Sequence, residues 1–101
     1  MIRRGSTPTH TFTLPFDTSL IKAASVVYSQ NDIKILTKRM ADLTKNGKTL
    51  SVKLTQKETF LFNPKEAVSV QVRVLTNSGD ALNSLITKVN VSDSLSEEVL
   101  I

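Results

Sequence analysis

A chain of 101 residues, 40% hydrophobic and 22% charged, has the length for one hydrophobic core and the composition of a folded domain. The lack of any cysteine removes disulfides, zinc–thiolate sites and thiol nucleophiles together. The formal net charge of +4 is spread from Arg3 to Lys88, and one Tyr with four Phe is a poor supply of platforms for stacking bases, so no nucleic-acid partner is expected.

The first segment, residues 1–8, is basic and hydroxylated, with no apolar run to make a secretion signal or cross a bilayer; synthesis in the cytoplasm and no membrane partner are expected. In residues 9–14, Thr9, Thr11 and Thr13 alternate with His10, Phe12 and Leu14, the period of a half-buried strand. Pro15-Phe16-Asp17 breaks it, and residues 17–21 can form a short helical turn. Residues 22–30, with Val26, Val27 and Tyr28, and residues 33–40, with Ile33, Ile35 and Leu36, read as two strands joined at Gln30-Asn31-Asp32. A short further strand is expected at residues 41–44 or at the C-terminus. Asn46-Gly47 suits the positive φ angles of a type I′ turn, closing a hairpin onto Leu50.

Residues 50–55 alternate again, with Leu50, Val52 and Leu54 inward. Thr55-Gln56-Lys57-Glu58 is a capping-box sequence, since the Thr oxygen and the Glu carboxylate can each take a free backbone N–H at a helix start. About one helical turn follows, stopped by Asn63-Pro64. Residues 68–74 place Val68, Val70, Val72 and Val74 on one face, and Asn77-Ser78-Gly79-Asp80 turns the chain into a last long strand, residues 85–91. The fold class expected is all-β: an immunoglobulin-like antiparallel β-sandwich of about six to seven strands, with one short helical turn near residues 55–62. It forms one domain over residues 1–101, with an extended N-terminal segment, 1–8, and a C-terminal tail, 93–101.

Reactive groups are sparse. His10 is the one histidine, so it has neither a second imidazole to share a metal with nor a thiol to activate. Asp17, Asp32, Asp42, Asp80 and Asp93 stand mostly beside Asn, Ser, Thr or Gly, where aspartate caps turns, and no stretch has the dense oxygen ligands of a calcium loop. Gly5, Gly47 and Gly79 each stand alone, so no phosphate-cradling loop is present in the sequence. No enzyme, no cofactor and no metal are expected. What remains for binding is the pair Arg3 and Arg4, which can hold carboxylates through bidentate contacts, and the apolar ending Val99, Leu100 and Ile101, which can dock on this domain or on a partner.

Residues 3–17, from Arg3-Arg4-Gly5-Ser6-Thr7-Pro8 to Pro15-Phe16-Asp17, followed by Val26-Val27-Tyr28-Ser29-Gln30, resemble the start of small tail-region proteins encoded in prophages of Gram-positive bacteria. They are also similar to the N-terminal domain of siphophage baseplate upper proteins. Leu54-Thr55-Gln56-Lys57-Glu58-Thr59, the run from Val70 to Thr76, and Gly79-Asp80-Ala81-Leu82 fit the same pattern, which spans about Arg3 to Val91. The resemblance implies a β-sandwich structural component of a tail tip or baseplate. Its partners would be other tail or baseplate proteins or further copies of itself, and its location the virion. It carries over no catalytic residue. The alternative expectation is a host-surface or carbohydrate-binding module, which would present exposed aromatics; Phe16, Phe60 and Phe62 are the loop-adjacent candidates, expected to be buried as staples for the turns.

Overall fold

The computed structural model describes residues 2–83 and 86–93, and it is an all-β sandwich. In chain order the elements are β1 (Ile2–Arg3), β2 (Thr9–Thr13), a 3₁₀ turn (Thr18–Leu20), β3 (Ile21–Gln30), β4 (Ile33–Arg39), a second 3₁₀ turn (Met40–Asp42), β5 (Leu43–Asn46), β6 (Thr49–Lys53), α1 (Gln56–Thr59), β7 (Val68–Thr76), β8 (Ala81–Asn83), β9 (Thr87–Val89) and β10 (Val91–Ser92). One antiparallel sheet has the order β2-β6-β5 and faces a second of order β4-β3-β7-β8, in which β9 also pairs with β7. The connections β2 to β3, β4 to β5 and β6 to β7 pass between sheets, the Greek-key order of an immunoglobulin-like sandwich with β4 as an added edge strand. β1 pairs in parallel with β10.

The alternation in the sequence becomes the core. Leu50, Val52 and Leu54 from one side meet Val26 and Tyr28 of β3 and Val68, Val70, Val72 and Val74 of β7 from the other, with Phe62 and Ile2 completing the cluster. Burying side chains of this size stabilises the fold by roughly 1.5–3 kcal/mol each, offset by the entropy of ordering them. In β3 the buried set is Ala24, Val26, Tyr28 and Gln30, yet Ile21 is buried too. A register shift between Ile21 and Ala23 supplies the extra residue, so the chain changes phase there and both sets point inward.

Several boundaries differ from the sequence expectation. The β5–β6 hairpin pairs Asn46 with Thr49, so its loop is Gly47-Lys48. Only Gly47 has positive φ, 57°, the pattern of a II′ turn. The I′ signature falls instead at Asn31 and Asp32, both positive, between the paired Gln30 and Ile33. A lysine side chain is spared the left-handed region in one turn, and Asn and Asp, which tolerate it best among residues with a Cβ, occupy it in the other. The short strand expected at residues 41–44 begins at Leu43, after the second 3₁₀ turn. Within the long strand expected at residues 85–91 the structure has β9 (Thr87–Val89), on β7, and the start of β10 (Val91–Ser92), on β1, with Asn90 in neither; a short strand not expected from sequence, β8, pairs with β7 before them. Leu85 lies outside the described residues.

Candidate docking surface

The two ends of the sandwich treat their side chains differently. At the end that holds α1, Thr55 and Glu58 form the capping box, with Glu58 N donating to Thr55 Oγ1 at 3.2 Å and Thr55 N to Glu58 Oε1 at 2.8 Å. Thr59, fully buried, accepts from Gly5 N at 2.9 Å and donates toward Ser6 O and Gln56 O at 3.0 and 3.1 Å. These bonds hold the N-terminal segment against the helix. Its turn runs from Arg3 to Ser6, with Ser6 N donating to Arg3 O at 3.1 Å and Gly5 at φ 82°, the type II position that favours glycine.

Of the binding residues expected from sequence, Arg3 is exposed on β1. Arg4 is engaged within the chain: its guanidinium donates to Asp93 Oδ1 at 2.6 Å and Phe60 O at 3.1 Å, and stands 5.5 Å from the centroid of the Phe60 ring. The two arginines therefore do not form a joint carboxylate clamp. Val99, Leu100 and Ile101 lie outside the described residues. Phe62 is buried, as a staple should be, whereas Phe60 is half-covered and Phe16 partly exposed.

A polar chain crosses the same region. His10 Nδ1 and the buried Tyr28 hydroxyl are 2.7 Å apart, and Lys38 Nζ meets Glu58 Oε2 at 2.6 Å. Burial, reinforced by the Glu58 carboxylate, pushes the Tyr28 phenol well up, and burial lowers His10 from its usual 6.5. Burial would raise Glu58, but the hydrogen bonds from Lys38 and the Thr55 N–H outweigh it and hold the carboxyl below 4.5. Gln30, which sequence alone did not mark as buried, sends Nε2 to Asn63 O and Glu66 O at 2.8 and 2.9 Å and takes Asn63 N at 2.8 Å, pinning the loop that leads into β7. These are structural roles: each polar group is spent on another part of the chain. Among the described residues no three His, Cys, Asp or Glu side chains gather as a metal site.

The opposite end holds an apolar groove between two hydrogen-bonded turns. Asp17 caps the first 3₁₀ turn by accepting from Ser19 N at 2.9 Å, a bond that also holds its carboxyl below 3.8. Thr18 donates through both N and Oγ1 to Gly47 O, at 2.8 and 2.7 Å. Asn77 N donates to Leu20 O at 2.8 Å, joining this turn to the one that follows β7, itself closed by Gly79 N to Thr76 O at 3.0 Å. Between the two turns opens a groove of about 580 Å³ lined by the apolar Phe16, Leu20, Ala81 and Leu82 and by the polar Thr76, Asn77, Ser78 and Asp80. Leu20 is 51% and Leu82 44% exposed. Leu82 pairs with Val74, so it lies on the inward side of the sheet but at an edge that no described residue covers. The sequence signal was slight: one leucine inside a turn, and a second one two residues after Asp80.

No protein-family model, no curated protein and no solved structure matches the chain. Among the described residues no helix is long and apolar enough to cross a membrane.

Proposed function

We propose that this protein is a non-enzymatic structural domain of a phage or prophage particle, part of its tail tip or baseplate, that acts by docking on other proteins. The apolar groove carries the docking half of this reading. Its leucines are exposed although the turns that bear them are tied by backbone hydrogen bonds, so it is a preformed apolar surface, the kind that marks protein contact sites. Support for the particle comes from the residues quoted above, from Arg3 to Val91, that resemble tail and baseplate proteins. A protein partner is favoured over a glycan because the groove offers one aromatic, Phe16, and sugar sites stack on broad exposed rings.

The test is co-expression with the products of flanking genes, followed by affinity purification. A tail or baseplate protein that co-purifies with the wild type and is lost with Leu20→Ser plus Leu82→Ser is the expected result. A metabolic gene neighbourhood, or clear hits on a glycan array that survive this double substitution, would sink the reading.

A further inference from the structure

The outer face of the larger sheet has a pattern the groove does not explain. Residues paired across neighbouring strands share a face, so the registers of β3, β4, β7, β8 and β9 can be read as rungs. One rung is Arg39–Ser25–Arg73–Asn83, and another, four residues along β7, is Lys34–Ser29–Ser69–Lys88. All four cations are exposed, and Arg73 is steadied by its Nε–H to Asn83 Oδ1 at 3.1 Å. Between these rungs stand Thr37, Val27 and Gln71; among the described residues no paired position of this face, on the rungs or between them, is an acid or an aromatic, and the acids Asp32 and Glu66 line a pocket with Ser69 and Lys88 at the end of the face. The outer face of the smaller sheet has the opposite character. Its rungs are Thr9–Lys53, Thr11–Ser51–Thr44 and Thr13–Thr49–Asn46, with Lys53 their one charge.

We infer that the outer face of the β4-β3-β7 sheet receives an extended acidic segment of a partner protein, its carboxylates on the Arg39/Arg73 and Lys34/Lys88 rungs. Charge complementarity selects the partner's sign. The rungs are about 13 Å apart, the distance an extended strand covers in four residues, so acids at i and i+4 of the segment reach both. The small side chains Ser25, Ser29 and Ser69 let its backbone come close and add hydroxyl donors. Without a ring on the face there is nothing for bases to stack on, which favours a peptide over single-stranded nucleic acid. This surface shares none of its cations with the apolar groove, so Leu20→Ser plus Leu82→Ser leaves it intact and the two readings fail separately.

The experiment is fluorescence anisotropy at low salt with a labelled oligoglutamate peptide and, in parallel, a labelled single-stranded oligonucleotide of equal charge. Arg39→Glu with Arg73→Glu, and separately Lys34→Glu with Lys88→Glu, each weaken peptide binding by about tenfold or more, while Lys45→Glu with Lys53→Glu, an equal change of net charge elsewhere, alters it less than about twofold. Thermal melts within a few degrees of wild type show that these exposed changes spare the fold. Equal losses from all three pairs would reduce the effect to net charge, a loss from only one of the two face pairs would remove the extended occupant, and tighter binding of the oligonucleotide through the same residues would make this a nucleic-acid surface. Any of the three overturns the inference.

Discussion

Both ends of the sandwich carry a glycine turn, a short helical turn and an aromatic residue, yet they finish in different ways. At the α1 end, Arg4 covers Phe60, Thr59 holds Gly5 and Ser6, and Gln30 anchors the loop at Asn63 and Glu66. At the other end, backbone bonds such as Asn77 N to Leu20 O run beside side-chain bonds of Asp17, Thr18 and Thr76, and the apolar side chains Phe16, Leu20 and Leu82 face a groove. Side chains spent on other parts of the chain are there for stability. Leu20 and Leu82 keep about half their surface in water, so substituting them should cost little beside substituting Gln30 or Gly5.

The largest effect is expected at Gln30. Gln30→Leu removes three part-buried hydrogen bonds from a side chain that is itself buried and leaves Asn63 N, Asn63 O and Glu66 O without this partner, a cost of about 2–4 kcal/mol. A fall in Tm of roughly 10–20 °C follows for a domain of this size. A shift of only a degree or two would mean that the loop into β7 is held by something else. Gly5→Ala is next. A Cβ there would lie 2.7 Å from Phe60 Cζ, and φ is 82°, so the ring must move and the turn is strained as well. The expected loss is about 1–2 kcal/mol in urea unfolding; a stable variant would show that the N-terminal strap is not docked as described.

A subtler break concerns pH. The folded pKa of His10 is lowered, so the unfolded chain takes up its proton first, and the stability tied to neutral His10 is whole above pH 6.5 and falls as pH drops below it. Glu58 is also depressed in the folded state; its contribution is whole above pH 4.5 and is lost as pH falls through its folded pKa. Wild-type urea midpoints therefore decline in two stages on acidification. His10→Gln should flatten the upper stage and leave the lower one. An unchanged slope between about pH 7 and 5 would remove His10 from the account.

The α1 end also shows where sequence could and could not lead. The valine alternation of β7, the leucine and valine of β6 and the capping box at Thr55 were legible because each depends on residues close in the chain. Burial of Gln30 was not, since its partners lie 33 and 36 positions away. Nor was the seating of residues 2–8: Arg3-Arg4-Gly5-Ser6 is polar, and only the fold brings Thr59, Phe60 and Asp93 to it. The phase change at the β3 bulge escaped for a related reason: it is an extra residue counted against a partner strand, and a single strand's pattern does not contain that count. The groove was hidden too, because an exposed leucine in a turn reads like any other until the register of Leu82 with Val74 sets it beside Leu20.

The smallest expected effect bears on that groove. Leu20 and Leu82 are about half exposed, so changing both to Ser removes little apolar area already hidden from water, and the anchoring bonds at this end, Leu20 O with Asn77 N among them, are made by backbone atoms that serine keeps. Surface changes of this kind usually stay within about 0.5 kcal/mol each, so Leu20→Ser with Leu82→Ser should shift Tm by no more than a few degrees. A fall comparable with that of Gln30→Leu would mean that the two leucines complete the core after all, and the contrast between the ends would disappear. A neutral Tm together with loss of a co-purifying partner separates the two possibilities in one variant. On the proposed reading the fold does not need these side chains where they are, and the docking surface does.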